Sequence, residues 1–358
     1  MGSAFSGASS YTAPAEIPTR WFPDFEQELP SLQGKVFCVT GCTSGTGLVA
    51  ATTAAKKGAH VVMLNRQRTD ASLAPHCREH PGAGDRAVAA EKALREQVPG
   101  AEVTSVECDL QDFESVRSAA QKLKTMFKSK GVDVLCNNAG VMALADQATK
   151  DGYDVQMQTN HLSHFLLTKE LYPLLQKAAD QRGEARVVQH TSGGRKFPTT
   201  ELQAKYLQKN GGNLGGNGSS MFFGGARWER YHQTKLANAV FTVAMDDRLK
   251  ASNSKVKVCC AAPGLAATNL QVTTSQDDGF HAQWIMRFGQ SGEDGTMPLL
   301  RCCAAPGVES GDFYEPEGLG NIKGLPAKFT PEPICTNPHS SRILWEESEK
   351  ACGAFKVE

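Results

Sequence analysis

Tyr231 and Lys235 lie four positions apart in the segment RWERYHQTKLANAVF, residues 227–241. This spacing predicts a helix that carries both side chains on one face, beside an apolar stripe. A tyrosine with its ordinary pKa of about 10 is a poor base at neutral pH, but a cation one helical turn away would stabilise its phenolate. The pair could therefore manage a proton. The alternative is surface packing, and the spacing alone does not decide between the two.

A glycine-rich turn, GCTSGTG, follows the apolar run KVFCVT and precedes a segment of helical spacing. Gly41 permits a tight turn, Gly45 lets the backbone approach a pyrophosphate, and Gly47 lets the helix pack on the strand. The helix N-terminus offers free N–H groups and a partial positive charge to phosphate. Turns also use glycine for conformational reasons alone. Between a strand and a helix, however, this turn indicates dinucleotide binding, although its spacing is not G-x-G-x-x-G.

The second apolar run, HVVML, leads into NRQR, where dinucleotide folds meet the adenosine ribose. An acid at this position would bind the 2′-hydroxyl, whereas an arginine accommodates a 2′-phosphate. No acid is present here, but Arg66 and Arg68 are. A loop arginine is commonly only solvated. The missing acid nevertheless favours NADP(H) as the cofactor.

From Lys35 onward, strand patterns alternate with helical patterns. Each strand is a nearly continuous apolar run, which indicates βαβ units and a parallel sheet buried on both faces. Right-handed crossovers then predict an α/β fold of the Rossmann type, with a doubly wound, mostly parallel, seven-stranded sheet and helices on both faces.

Composition predicts two units of very different size. We expect residues 1–33 to form a flexible N-terminal arm, whose aromatic residues dock onto the body, and residues 34–358 to form a single catalytic domain. Residues 68–85 read as a loop insertion. Residues 193–226 form a second insertion, and its stretch NGGNLGGNGSS indicates a flexible excursion.

The overall composition argues against several classes of protein. With 38 basic and 38 acidic residues and no Lys/Arg-rich run, nothing suggests a nucleic-acid partner. Eleven cysteines without metal-binding spacing predict buried thiols, no disulfide framework and no metal site. The start of the chain matches the myristoylation pattern at Gly2, which would give at most weak membrane association; a short flexible start is the alternative. Because the longest apolar runs are too short to span a membrane, we expect a cytoplasmic protein.

Seven motifs recur in the order found in the short-chain dehydrogenase/reductase family, which the sequence resembles over about residues 34–270. They are TGCTSGTG, CDL with Asp109 and Leu110, NNAG at 137–140, NHLSHF from Asn160, HTS ending at Ser192, YHQTK, and PGLAAT at 263–268. NHLSHF and YHQTKLAN are most similar to the retinol dehydrogenase-like branch, with protochlorophyllide reductases as more distant relatives. The resemblance implies an NADP(H)-dependent enzyme that reduces a carbonyl, or oxidises the matching alcohol, of a small apolar substrate.

The same resemblance implies roles for individual residues. Tyr231 would be the general acid or base, and Lys235 would bind the nicotinamide ribose and lower the Tyr231 pKa. Ser192 would bind the substrate oxygen, and Asn160 would hold a water that links Lys235 to solvent. By themselves, Asn160 could be a helix-breaking residue and Ser192 a turn serine. The implied cofactor-binding residues are Gly41, Thr43, Ser44, Gly45, Thr46, Gly47, Arg66, Asp109, Leu110, Asn138, Ala139, Gly140, Tyr231, Lys235, Pro263, Gly264 and Thr268.

The family's substrate lid corresponds to about residues 270–300 of this chain. Its apolar residues could line a substrate pocket, form a dimer contact of a homo-oligomer or belong to the core: Phe280, Trp284, Ile285, Met286 and Phe288. Two other functions remain open, a carbon–carbon double-bond reductase on the same scaffold and a non-catalytic NADP(H)-binding sensor. We expect His161, His164 and His190 to be core or wall residues rather than ligands.

Overall fold

The computed structural model describes residues 17–66, 83–198, 200–220, 223–268, 270 and 288–357, and it leaves out the side chains of 83–85. Some sequence-based predictions lie outside these ranges. They concern Gly2, Arg68 and most of the expected lid, including Phe280, Trp284, Ile285 and Met286.

One sheet runs through the middle of the molecule. Its strands are β1 Val36–Thr40, β2 His60–Asn65, β3 Val103–Glu107, β4 Val134–Asn137, β5 Ala185–His190, β6 Val256–Ala261, β7 Phe313–Pro316 and β8 Pro326–Phe329. They are ordered β3-β2-β1-β4-β5-β6-β7-β8, and only the β7–β8 pair is antiparallel. The strand order reverses direction between β1 and β4, and open α/β sheets bind ligands outside the carboxyl ends of the strands at such a point.

Helices cover both faces of the sheet, which confirms the predicted Rossmann-type class. In chain order they are α1 Phe22–Glu28, α2 Gly45–Lys56, α3 Ala83–Gln97, α4 Phe113–Met126, α5 Val155–Met157, α6 Ser163–Arg182, α7 Ala204–Leu207, α8 Ala226–Ala251, α9 Gly292–Ala304 and α10 Pro338–Cys352. One hydrophobic core lies between the sheet and α4, α6, α8 and α10. The other lies between the sheet and α1, α2, α3 and α9.

The sheet has eight strands, whereas the sequence predicted seven. The additional strand, β8, pairs with β7 from Phe313 opposite Phe329 to Pro316 opposite Pro326. Its sequence, PAKF, begins with proline and places a lysine at an exposed position. Proline and lysine are typical of sheet edges, where they discourage further pairing. An edge strand of this kind has no apolar run, which is why the sequence pattern did not reveal it.

The described part of the N-terminal segment, from residue 17, lies against α9. Phe22 and Phe25 are buried in the second core. The carboxylate of Asp294, at the start of α9, accepts hydrogen bonds from the backbone N–H groups of Arg20, Trp21 and Phe22 at 2.9–3.0 Å. Asp294 is itself fully buried. The aromatic residues of this segment therefore dock as expected, and a buried carboxylate holds the backbone beside them.

Charged side chains hold the glycine-rich segment before α8. The carboxylate of Asp146 accepts from the N–H groups of Leu214 and Gly216 at 2.9 and 2.7 Å. The guanidinium of Arg230 donates to the carbonyl oxygens of the same two residues at 3.1 and 2.9 Å. Arg230 is fully buried. The stretch that the sequence indicated as a flexible excursion is thus bonded through its backbone to α8 and to the segment after β4.

Two further findings bear on the predicted class of protein. Within the described ranges, no helix is both long and apolar enough to cross a membrane. The ten cysteines in those ranges are all buried and free.

Candidate functional site

Helix α8 places Tyr231 beside Ser192, two residues after the end of β5. The phenol donates to Ser192 Oγ at 3.3 Å, and the backbone N–H of Gly194 donates to the same oxygen at 3.0 Å. Tyr231 is buried within α8, as is Lys235 one turn later. The structure therefore brings the two hydroxyl groups together at the carboxyl end of β5.

Lys235 lies next to this pair without bonding to it. Its Nζ donates to the carbonyl oxygen of His190 at 3.1 Å and lies 5.7 Å from the centroid of the Tyr231 ring. Burial lowers the pKa of Lys235 to about 8. Burial also raises the pKa of Tyr231 to about 12, and the hydrogen bond with Ser192 opposes this only in part. The Tyr231 pKa is thus raised, where the family resemblance implied that Lys235 would lower it, because the loss of water around the phenol dominates.

Asn160 occupies an irregular turn that the sequence did not predict. Between α5 and α6 lies a π-helical turn, Gln158–Leu162, with Asn160 at its centre. Its Oδ1 accepts from the N–H of Val141 at 2.8 Å, and its Nδ2 donates to Val141 O and Thr234 Oγ1 at 2.9 Å each. Such π turns are rare and frequent at functional sites. Asn160 is therefore fixed between the turn after β4 and helix α8.

Gly140, in the NNAG turn after β4, separates Asn160 from Lys235. A Cβ atom at Gly140 would lie 3.3 Å from Asn160 Oδ1 and 3.5 Å from Lys235 Nζ. Any larger residue would fill the space onto which both side chains converge. The glycine thus keeps this space open at the point where the strand order reverses.

Asn138 ties the glycine-rich turn to the end of β4. Its Nδ2 donates to the carbonyl oxygens of Thr40 and Gly41 at 2.9 and 3.3 Å, and its Oδ1 accepts from Thr46 Oγ1 at 2.9 Å. A Cβ at Gly47 would lie 2.3 Å from Gly41 O and 2.4 Å from Asn138 Nδ2. These distances leave no room for a side chain. Close packing of α2 on Gly41 and Asn138, in the turns after β1 and β4, therefore requires Gly47.

Thr40 supports the same turn, and the sequence analysis did not single it out. Its Oγ1 accepts from the N–H groups of Asn138 and Ala139 at 3.0 Å each and lies 2.9 Å from His164 Nε2. A hydroxyl at the end of an otherwise apolar buried strand needs partners, and this was the available signal. The last residue of β1 therefore holds the backbone of the NNAG turn.

The end of β2 carries a polar atom that has no partner. Asn65 Oδ1 accepts from the N–H of Cys42 at 2.8 Å, while Asn65 Nδ2 is buried and has no hydrogen-bond partner in the described part of the chain. Arg66 follows and is exposed. A buried donor without an acceptor is costly, so this amide is a candidate to donate to an acceptor atom of a ligand. In the sequence, Asn65 is a neutral residue beside two arginines, and charge is the stronger signal for a phosphate site.

The other predicted cofactor-binding residues lie along the same edge of the sheet. Asp109 and Leu110 follow β3; Asp109 is buried, with Oδ1 accepting from the N–H of Gln111 at 2.9 Å. Ser44 is the N-cap of α2 and makes no side-chain hydrogen bond to the helix. Like Thr43, it is partly exposed.

The PGLAAT motif follows β6 and reaches the glycine-rich turn. Pro263 O accepts from Gln290 Nε2 at 2.8 Å. A Cβ at Gly264 would lie 2.3 Å from the carbonyl oxygen of Ile322, so this turn packs against the segment after β7. A Cβ at Gly45 would lie 3.3 Å from Thr268 Cβ. The first and last motifs of the sequence are therefore neighbours in space.

The three histidines assigned to the core or wall are buried. Burial lowers the pKa of His161 and of His190 to about 3 and that of His164 to about 4, so all three imidazoles are neutral at pH 7. No group of three or more His, Cys, Asp or Glu side chains in the described residues could hold a metal ion.

Comparison with known proteins identifies the family. Residues 35–206 match the family model of short chain dehydrogenases. Over 337 residues the chain is 33% identical to the short-chain dehydrogenase/reductase drtF of Aspergillus calidoustus, and this alignment covers 90% of the chain and 95% of that protein. The chain belongs to the short-chain dehydrogenase/reductase family. It is thus an oxidoreductase of that family, as the order of its motifs predicted.

Other relatives agree with this placement. Retinol dehydrogenase 13 of Homo sapiens is 27% identical over 338 residues, which are 90% of this chain and 86% of that protein. The predicted retinol dehydrogenase-like branch is thereby confirmed. The alignment with an uncharacterized oxidoreductase of Schizosaccharomyces pombe covers only 58% of that protein. A crystal structure of an uncharacterized protein from Mycobacterium paratuberculosis superposes with a TM-score of 0.65 at 27% identity, covering 96% of this chain and all of that one.

Proposed function

We propose that this family member is an NADP(H)-dependent reductase of carbonyl compounds, with Tyr231 as the proton donor. The observation that carries the proposal is the contact between the hydroxyls of Tyr231 and Ser192, 3.3 Å apart, with Lys235 on the same face of α8. A carbonyl oxygen placed between two such hydroxyls is bound and polarised by both. In the reverse direction the same residues serve oxidation of the matching alcohol.

The protonation states suit reduction. Because burial raises the pKa of Tyr231 to about 12, the phenol keeps its proton at pH 7 and can donate it to the substrate oxygen. Lys235, with a pKa of about 8, is mostly cationic at that pH and would stabilise the phenolate that remains. Ser192 Oγ holds the substrate oxygen next to the phenol. Asn160, bonded on both sides, fixes the turn after β4 relative to α8.

The site fits a nicotinamide dinucleotide. The free N–H groups at the start of α2 can donate hydrogen bonds to the pyrophosphate, and so can the Ser44 hydroxyl, which makes no capping hydrogen bond. The unpartnered Asn65 Nδ2 suits the adenosine ribose, and the space at Gly140, in front of Lys235, suits the nicotinamide ribose. Bound there in its reduced form, the cofactor supplies the hydride for the carbonyl carbon.

The residues at the end of β2 support NADP(H) rather than NAD(H). Dinucleotide folds that select NAD place an acid near this position to bind the 2′-hydroxyl of the ribose. This chain has Asn65 followed by the exposed Arg66. A guanidinium binds a 2′-phosphate through charge-assisted hydrogen bonds.

Replacing Tyr231 tests the proposed proton donor. Tyr231→Phe removes only the hydroxyl, and we expect kcat for NADPH-dependent carbonyl reduction to fall by about 10²–10⁴-fold, the usual contribution of a general acid. Tyr172→Phe is the matched control, since its hydroxyl lies 3.1 Å from Ser254 Oγ, in the turn before β6 and thus at the opposite end of the sheet. Identification of the product as an alcohol separates carbonyl reduction from reduction of a carbon–carbon double bond. Undiminished turnover in Tyr231→Phe would leave the protein without the proposed chemistry.

Replacing Arg66 tests the choice of cofactor. We expect Arg66→Ala to weaken NADPH binding about tenfold or more, while NADH binding changes less than about twofold, because only NADPH carries the 2′-phosphate. Calorimetric titration with both dinucleotides measures the two dissociation constants. Arg342→Ala, an exposed arginine on α10, is the control and should change neither. Equal losses for NADPH and NADH would contradict the 2′-phosphate role.

A further inference from the structure

Four side chains form one stripe along α8. Residues 228, 231, 232 and 235 follow the spacing i, i+3, i+4 and i+7, which places them on one face of a helix. Lys235, at one end, lies next to the NNAG turn and the proposed cofactor. The rings of Trp228 and His232 lie 5.8 and 6.0 Å from the Tyr231 ring. A substrate whose oxygen meets Tyr231 therefore has aromatic side chains as its nearest neighbours on this helix.

Trp228 and His232 also belong to an aromatic wall, which consists of Phe197, Phe223, Trp228 and His232. The rings of Phe197 and His232 are stacked, with centroids 4.6 Å apart and planes 15° apart. Phe223 meets Trp228 edge to face at 4.8 Å and Phe197 at 6.1 Å. Trp228 in turn lies edge to face with Tyr231 at 5.8 Å. The wall is thus continuous with the proposed catalytic phenol.

The wall also lies directly beside the two reacting hydroxyls. A Cβ at Gly194 would lie 2.9 Å from Ser192 Oγ and 3.2 Å from both Tyr231 Cε1 and His232 Cδ2. The imidazole edge and the hydroxyl pair therefore border the same small volume. From there the wall extends outward, because Phe197 is 52% exposed although it stacks on a buried ring.

Packing and backbone geometry separate this region from the rest of the core. Trp228, Tyr231, Met142 and Ala143 form a small hydrophobic cluster distinct from the two main cores, with Phe223 packed against it. Ala143 and Phe223 adopt φ values of +48° and +58°. Such values are uncommon for residues with a side chain, and residues that adopt them cluster at active sites and ligand clamps.

His232 presents an uncharged ring to this volume. Burial lowers its pKa to about 4, so the imidazole is neutral at pH 7. No hydrogen bond joins it to any of the described residues. A neutral, stacked imidazole favours a flat conjugated ligand over a saturated one, since aromatic rings gain from offset stacking beyond the burial of their area.

We propose that the aromatic wall makes this enzyme selective for planar ring carbonyls, of the aryl ketone and quinone class, which stack on the exposed Phe197 ring that His232 supports. This inference rests on the proposed function, because it assigns the substrate class of the same site. The carbonyl carbon receives the hydride, the oxygen receives the Tyr231 proton, and the product is the ring alcohol. Phe197 and His232 are the residues that determine specificity.

The test compares two ketones with the same ten-carbon bicyclic skeleton. In 1-tetralone the carbonyl is conjugated to a flat aromatic ring, whereas 1-decalone is saturated and puckered. We expect kcat/KM with NADPH to be at least about tenfold higher for 1-tetralone. Phe197→Leu keeps an apolar side chain at a half-exposed position, so it spares the fold. It should lower kcat/KM for 1-tetralone about fivefold or more and leave that for 1-decalone within about twofold.

A matched control and a second variant test the same substrate class. Val88→Ala alters an exposed apolar residue on α3 and should leave both substrates unchanged. His232→Leu removes the imidazole plane but places an apolar side chain there. It should therefore also lower the ratio of kcat/KM for 1-tetralone to kcat/KM for 1-decalone. Equal turnover of the two ketones by the wild type, or an equal loss for both in Phe197→Leu, would overturn the substrate class and leave carbonyl reduction intact.

A binding measurement makes the inference independent of turnover. Calorimetry on Tyr231→Phe, with NADPH present, reports ketone affinity without reduction. We expect 1-tetralone to bind more tightly than 1-decalone, and the double variant Tyr231→Phe/Phe197→Leu to lose that preference. A preference that survives in the double variant contradicts the wall's role. Absence of NADPH oxidation by the wild type with any carbonyl would instead refute the proposed function.

Discussion

The chain contains two glycine-rich segments beside the proposed site, and different interactions hold them. In the turn 41–47, the partners are neutral: Asn138 and Thr46 form hydrogen bonds of 2.9 Å, and backbone packs on backbone at Gly47. In the segment 210–220, the partners are charged side chains. Arg230 and Asp146 bind its backbone carbonyl and N–H groups.

The two segments differ in whether their backbone N–H groups are left free or are bonded within the protein. The turn leaves helix N–H groups free for an anion, and neutral anchors do not compete with a phosphate for those groups. The longer segment has no regular structure to satisfy its own backbone, so buried charges satisfy it. Glycine content alone does not distinguish these two cases. The side chains that approach from other elements do.

Removing the buried charge from the longer segment should give the largest effect on stability. In the wild type the carboxylates of Asp154 and Asp146 lie 3.3 and 3.7 Å from the Arg230 guanidinium. Arg230→Met leaves both carboxylates without this partner. Breaking a buried ion pair in this way costs about 3–5 kcal/mol. Urea denaturation measures the free energy of unfolding. Arg342→Met, at an exposed position, is the control and should cost less than about 1 kcal/mol.

The pH dependence sharpens this prediction. Burial raises the pKa of Asp154 to about 6, above its unfolded value of about 3.9, so the stability that neutral Asp154 contributes to the wild type is lost as pH rises from about 4 to 6. Arg230 lowers this pKa, and Arg230→Met therefore raises it further. The cost of the substitution should grow between pH 5 and pH 8. Asp154→Asn in the variant background should remove that growth, and a cost independent of pH would contradict the assignment.

Adding one methyl group to the glycine-rich turn should give the next largest effect. Gly47→Ala places a Cβ 2.3 Å from the carbonyl oxygen of Gly41, a backbone atom with little freedom to move. We expect a loss of about 3 kcal/mol in the free energy of unfolding, at the upper end of overpacking costs, together with weaker dinucleotide binding. Gly218→Ala is the matched control in the other segment. Nothing lies within 4 Å of a Cβ there, so thermal unfolding and cofactor titration should both stay close to wild type.

The sequence predicted well those features that depend on neighbouring residues. Apolar runs marked β1 and β2 because central parallel strands are buried on both faces. The edge strand β8 was missed since it carries no such run. The π turn at Asn160 was missed for a related reason: helical periodicity is nearly the same on either side of it.

In the site, too, local features were predictable from the sequence, whereas contacts between distant segments were not. Tyr231, Lys235 and the glycines could be recognised from spacing, because the helix and the turn that carry them are local. Arg230, by contrast, looks like a solvated residue of an amphipathic helix. Its burial depends on Asp146, Asp154 and carbonyl groups that are brought together only by the fold. The aromatic wall is likewise assembled from segments separated in sequence.

The smallest of these effects concerns the neutral anchor of the turn after β4. Thr40→Val keeps the shape of the side chain but removes the oxygen that accepts from Asn138 N–H and Ala139 N–H. A buried donor left without an acceptor costs about 1–3 kcal/mol, and no charge is exposed by this change. The loss should therefore be smaller than that of Arg230→Met and nearly independent of pH between 6 and 8, where His164 is already neutral. Urea denaturation at both pH values checks this, with Thr125→Val on the exposed side of α4 as the control. A cost equal to that of Arg230→Met would mean that neutral and charged anchors stabilise the two segments equally. It would contradict the expectation that the charged anchors contribute more.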